Sequence, residues 1–108
     1  MTKDQNSSST ALEMVRVFLR EYYYGEEWED RAAIRALANH KIDRREHFRV
    51  ASAFEIVLEG RFPEGVLQEL VASAACRATE GDGEAREFLE RVYENNAFDG
   101  AVDPDEFA

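Results

Sequence analysis

A chain of 108 residues with 44% hydrophobic residues, seven Phe and four Tyr carries enough apolar side chain for one modest core, at a size where a single domain folds unaided. With 33% charged residues and a formal net charge of −10, it opposes nucleic acid and anionic lipid as partners and favours a basic protein. No apolar run reaches bilayer-spanning length, the opening MTKDQNSSST lacks the apolar stretch of a signal peptide, and the single Cys76 permits no internal disulfide and no cysteine zinc cluster, so a cytoplasmic protein is expected.

Residues 1–9 are polar and serine-rich and predict a flexible N-terminal segment. Thr10-Ala-Leu-Glu13 has the spacing of a capping box, in which hydroxyl and carboxylate satisfy orphan amide donors reciprocally. Leu12, Val15, Phe18, Leu19, Tyr22 and Tyr23 follow at helical spacing, and Gly25 is placed to end that first helix, because glycine accepts the left-handed conformation. Trp28, Ala32, Ile34, Leu37 and Ala38 predict a second, shorter helix ending near Asn39 or His40. Asp43-Arg-Arg-Glu46 resembles another capping arrangement, opening a third helix faced by Phe48, Ala51, Phe54, Val57 and Leu58 and closed by Gly60.

Pro63 suits the first turn of a fourth helix, where no amide hydrogen is needed, with Val66, Leu67, Leu70, Val71, Ala74 and Ala75 as its stripe. After EGDG, Asp82 or Gly83 leads a fifth helix carrying Ala85, Phe88, Leu89, Val92 and Tyr93 and ending around Asn95-Asn96. The closing run AFDGAVDPDEFA is acidic and turn-rich, with Phe98 and Phe107 as anchors. No segment alternates with period two. The pattern predicts an all-α, single-domain bundle of four to five helices over residues 10–98, with an acidic tail at 99–108.

No nucleotide-binding glycine loop, nucleophile elbow or metalloprotease pattern is present. Cys76 closes an Ala-rich stripe, where a half-buried, inert thiol is the usual occupant, and His40 and His47 read as surface or interface residues. The carboxylates Asp99, Asp103, Asp105 and Glu106 do not fit the register of a calcium loop, and Pro104 interrupts it. The expectation is therefore no enzyme, no cofactor and no metal.

Charge is unevenly placed. Residues 1–50 hold nine acids and nine bases, whereas 51–108 hold fourteen acids and four bases. The arginines of the first half sit beside local acids, and intramolecular ion pairs between the balanced first half and the acidic second half explain them better than nucleic-acid binding does. In EYYYGEEWED, residues 21–30, four large aromatics are interleaved with five acids. Tyr and Trp suit binding hot spots, and adjacent carboxylates address Lys or Arg. Tyr22 and Tyr23 continue the helical stripe and Trp28 reads as packing inward, while Tyr24 lies off it. The predicted partner-binding residues are Tyr24, Glu26, Glu27, Glu29 and Asp30, joined by Glu80, Asp82, Glu84 and Glu87 of the acidic half.

The aromatic pair Tyr22-Tyr23 ahead of Glu27-Trp28, with the terminal element Glu87-Phe88-Leu89-Glu90, resembles a group of bacterial contact-dependent growth inhibition immunity proteins. The resemblance implies a small cytosolic inhibitor that neutralises a cognate toxin domain, often a nuclease, by filling a basic cleft. The rival expectation is a non-enzymatic helical adaptor or regulatory module, homodimeric through the aromatic stripe of the first helix.

Overall fold

The computed structural model describes residues 2–25 and 29–101, with side chains described for 8–25 and 30–101. Five helices follow in order: α1 (Thr2–Tyr22), α2 (Glu29–Ile42), α3 (Arg44–Glu59), α4 (Val66–Ala74) and α5 (Asp82–Asn95), with a 3₁₀ turn at Phe98–Gly100. The fold is an all-α bundle, and no strand occurs among the described residues. No helix among them is long and apolar enough to cross a membrane.

α1 begins at Thr2, so residues 2–9 continue the helix and Thr10 lies inside it rather than capping it. No glycine or proline occurs before Gly25, and Ser, Asn and Thr each cost only about half a kcal/mol against Ala in a helix. The packed stripe downstream therefore extends back without a stop. Gly25, at φ +70°, turns the chain after α1 in the conformation that suits glycine.

α1 lies against α3 and α4, α5 against α3 and α4, and α2 touches α1, α3 and α5. Val15, Phe18, Leu19, Tyr22 and Tyr23 bury the α1 stripe, Val50, Ala51, Ala53, Phe54 and Val57 that of α3, and Leu67, Leu70, Val71 and Ala74 that of α4; α5 contributes Ala85, Phe88, Leu89 and Val92. Leu12, Leu58 and Tyr93 are half-buried against this core. Phe98, just past α5, is fully enclosed with its ring 5.6 Å from Phe18 and 5.2 Å from Phe54. It is the centre of the aromatic core. Phe107 lies outside the described residues.

Three local expectations change. α2 buries Ala32, Ala33, Ala36 and His40, while Ile34 is 67% exposed: small side chains let the α2 backbone come close, and the larger isoleucine faces out. Pro63 precedes α4 in a turn closed by the Val66 amide on its carbonyl, and Gly65 is the N-cap. Cys76 is exposed, not half-buried, because the chain leaves α4 there at φ +54° and swings the thiol off the stripe.

Candidate functional site

The junction between α2 and α3 is a single residue, Asp43. Its Oδ1 accepts from the Glu46 amide at 3.0 Å, satisfying one of the donors a helix start leaves open, and its own amide donates to the Asn39 carbonyl at 3.1 Å. This tight corner sets the last turn of α2 against the first turn of α3, and so stacks His40 on His47, with ring centroids 4.9 Å apart and planes 25° apart. Both rings reach Phe98, at 6.0 and 5.1 Å.

The two histidines are not equivalent. His47 is half-buried and donates from Nε2 to the Asn96 carbonyl at 3.1 Å. Asn96, fully buried, donates in turn to the Tyr23 hydroxyl at 2.9 Å, tying the end of α5 to α1. His40 is 5% exposed, and its Nδ1 has no hydrogen-bond partner. A buried acceptor left open costs about 1–3 kcal/mol. Burial, with His47 alongside, holds the His40 pKa below its ordinary 6.5, and Asp43 opposes this only in part. The ring is accordingly neutral at neutral pH. Its interior position corrects the surface reading of His40: α2 runs on to Ile42, so His40 falls within the last helical turn rather than after it.

His40 lines an open cleft of about 510 Å³ between α1, the end of α2 and the start of α3. The floor is apolar, with Met14, Phe18 and Val50, and four carboxylates surround it, Glu13, Glu21, Asp43 and Glu46, against one guanidinium, Arg49. Glu46 lies 3.5 Å from Arg49 and Glu13 3.7 Å from Arg16, both loosely. Glu21 has no ion-pair partner among the described residues. At about 4 Å, each uncompensated carboxylate attracts a cation by roughly 1 kcal/mol in bulk water and about 4 kcal/mol at the dielectric of a protein surface. An apolar floor under such a rim suits a long side chain ending in a positive charge.

The predicted partner-binding residues whose side chains are described do not line this cleft. Tyr24 is 60% exposed in the turn after α1, and Asp30 is exposed at the start of α2. Glu26, Glu27, Trp28 and the side chain of Glu29 are outside the described residues. Glu80, Glu84 and Glu87 are exposed around the start of α5. Asp82 is committed to the fold: its two oxygens accept from the Gly65 and Gln68 amides, at 2.7 and 2.9 Å. These bonds cap α4 from α5 and hold the Asp82 carboxyl below its ordinary pKa. Its carboxylate is thus no free docking charge. Among the described residues Arg16 bridges the two halves of the chain, to Glu69 at 3.3 Å, an ion pair of the kind expected between them. Tyr22 and Tyr23 are 8% and 2% exposed, so the aromatic stripe of α1 faces the core and offers no dimer surface.

Sequence reading passed over the cleft because Glu13, Glu21, Asp43 and Glu46 belong to the charge-balanced half, where summing by segment cancels them. The available signal was local: His40 and His47 straddle the Asp43 capping box, a spacing that folds two imidazoles together. No protein-family model matches the chain, no curated protein matches it, and no solved structure does. The likeness to contact-dependent growth inhibition immunity proteins is thus left without support, and immunity protein, toxin inhibitor and nuclease inhibitor are withdrawn as descriptions of this chain.

Proposed function

We propose that this chain is a non-enzymatic, cytoplasmic binding module for a basic protein, which it engages through the cleft between α1, α2 and α3. The observation that carries the reading is the cleft's composition, four carboxylates and one arginine around an apolar floor. The remaining acids, concentrated in residues 51–108, supply a long-range field that steers a cationic partner and repels nucleic acid and anionic membranes. The test is fluorescence anisotropy with a labelled lysine-rich helical peptide and a glutamate-for-lysine control. The basic peptide should bind and weaken steeply as salt rises from about 0.15 to 1 M, where the screening length falls from about 8 to 3 Å. Equal binding of both peptides, or none of either, refutes the reading.

A second reading, a homodimeric helical adaptor, is favoured by Ile34 and Ile42, which are 67% and 88% exposed on α2. Sedimentation equilibrium separates the two: a dimer dissociated by Ile42→Asp supports the adaptor, and a monomer at all concentrations removes it.

A further inference from the structure

His40 is walled in by rings from three other elements: Phe18 at 5.9 Å and Tyr22 at 6.3 Å from α1, His47 at 4.9 Å from α3, and Phe98 at 6.0 Å from the 3₁₀ turn. Its Nδ1 is closed to solvent and has no partner. A neutral imidazole leaves one lone pair unused there, but an imidazolium carries an N–H on both nitrogens. A charged His40 therefore holds a donor on Nδ1 that neither an acceptor nor water can reach, which the interior does not tolerate. For water to reach it, one wall must move.

The walls differ in how firmly they are held. α1 and α3 are fixed by long buried stripes, whereas the turn at Phe98–Gly100 is three residues long and buries Phe98 alone. The chain enters it through Ala97 at φ +55°, a left-handed conformation that a residue with a β-carbon keeps only while its surroundings fix it. His47 supplies part of that fixing, since its Nε2 donates to the carbonyl of Asn96, immediately before Ala97. Both histidines thus bear on one turn. The other titratable and charged groups around His40 are Tyr22, Glu13 and Glu21 of α1, Asp43 at the junction, and Glu46 and Arg49 of α3. Asp99 lies on the turn itself, where its charge acts on Tyr93 of α5. Asp43 favours a charged His40, but burial and the charge of His47 outweigh it.

We propose that His40 and His47 form an acid-sensitive latch on the turn at Phe98–Gly100: a second proton on His40 releases the turn with Phe98 and opens the aromatic core between α1 and α3 while the five helices stay folded. Mild acid then uncovers apolar surface on Phe18, Phe54 and Phe98 that is sealed at neutral pH. An opening that returns His40 to water restores its ordinary pKa of 6.5, so the open population rises by up to about tenfold at about pH 5.5.

Amide hydrogen exchange of the isotope-labelled full chain, corrected for intrinsic rates, measures this opening. The amides of Gly100 and Ala101, bonded to the Ala97 and Phe98 carbonyls at 3.1 Å, report the turn. That of Val57 inside α3 reports the helices, and that of Glu69, bonded to the Gly65 carbonyl at 2.9 Å, reports α4, away from α2. Between about pH 7.5 and 5.5, protection at Gly100 and Ala101 should fall by about tenfold, stay below that of Val57 throughout, and leave Glu69 unchanged. His40→Phe, which keeps an aromatic ring but takes no proton, should make protection of the turn independent of pH. Protection of the wild-type turn that does not change with pH overturns the latch. So does protection equal to that of Val57 at every pH, which makes the opening global unfolding. Should His40→Phe fail to fold, the wild-type profile decides alone: a loss that begins near about pH 6.5 supports the latch, and one that begins only near about pH 4.5, where carboxylates titrate, overturns it.

Discussion

Phe98→Ala tests whether the segment after α5 is part of the core or a tail. Phe98 is 0% exposed, and its ring lies between 5.1 and 6.0 Å from those of Phe18, His40, His47, Phe54 and Tyr93. The contacts come from α1, α2, α3 and α5, so no single helix can move in to fill the space left. Truncating such a ring costs about 3–5 kcal/mol in lost burial and residual cavity, against a total stability of about 5–15 kcal/mol for a domain. With a urea slope of about 1.5 kcal/mol/M, the midpoint should fall by about 2–3 M at unchanged slope. Phe98→Leu, which refills most of the volume, should cost under about 1.5 kcal/mol. Paired urea melts followed by far-UV circular dichroism measure both. A midpoint for Phe98→Ala equal to that of the wild type would refute the packing and make the 3₁₀ turn an appendage.

Asp82→Asn should destabilise the chain at neutral pH. Because the amides of Gly65 and Gln68 depress the Asp82 pKa below 3.8, that contribution is present above 3.8 and lost as pH falls through the folded value. Urea midpoints of variant and wild type should therefore converge as the pH is lowered through that folded value, and a gap independent of pH would contradict the cap. His40 also has a lowered pKa, so the unfolded ring takes its proton first and stability drops as pH falls below about 6.5. The groups bearing on it are His47 of α3, Asp43 of the junction and Tyr22 of α1, with Glu13, Glu21, Glu46 and Arg49 around the cleft. His40→Phe should flatten the dependence below about pH 6.5, and an unchanged profile assigns it to other groups. Tyr24→Ala, at a 60% exposed site, should change stability by no more than about 0.5 kcal/mol. Tyr23→Ala, at a buried one, should cost about 3–5 kcal/mol; thermal melts of the two variants decide, and similar losses would mean the turn after α1 is misplaced.

Elements defined by large apolar residues and by punctuation were legible in the sequence. The stripes of α4 and α5, the Asp43 cap, and the chain turns at Gly25 and Gly60 follow from side-chain spacing and local backbone chemistry. α2 was misfaced because a stripe weighted by hydrophobicity favours Ile34 over Ala33 and Ala36, whereas close helix approach favours the alanines. Thr10 has the chemistry of a cap, but capping chemistry does not stop a helix that has no breaker upstream. The cleft was the least legible part, since its carboxylates come from α1, the α2–α3 junction and α3. Their convergence depends on how those helices cross, which no local pattern encodes. Asp82 shows the converse: an acid counted as surface charge is consumed by the open amides of a helix distant in sequence.

The central claim, that a basic partner enters between α1, α2 and α3, is tested most directly by two charge reversals of equal size. One variant carries lysine at Glu13, Glu21 and Glu46, which line the cleft; the other carries lysine at Glu80, Glu84 and Glu87, exposed around the start of α5. Both change the net charge equally, so the long-range field weakens alike and only the position differs. Titrated with the same lysine-rich peptide, and with folding verified by circular dichroism, the cleft variant should lose binding by about a hundredfold or more, roughly 2.8 kcal/mol. The α5 variant should lose only the part due to steering, seen as a slower association rate with little change in dissociation. Equal losses in the two variants, or a larger loss in the α5 variant, would contradict the account.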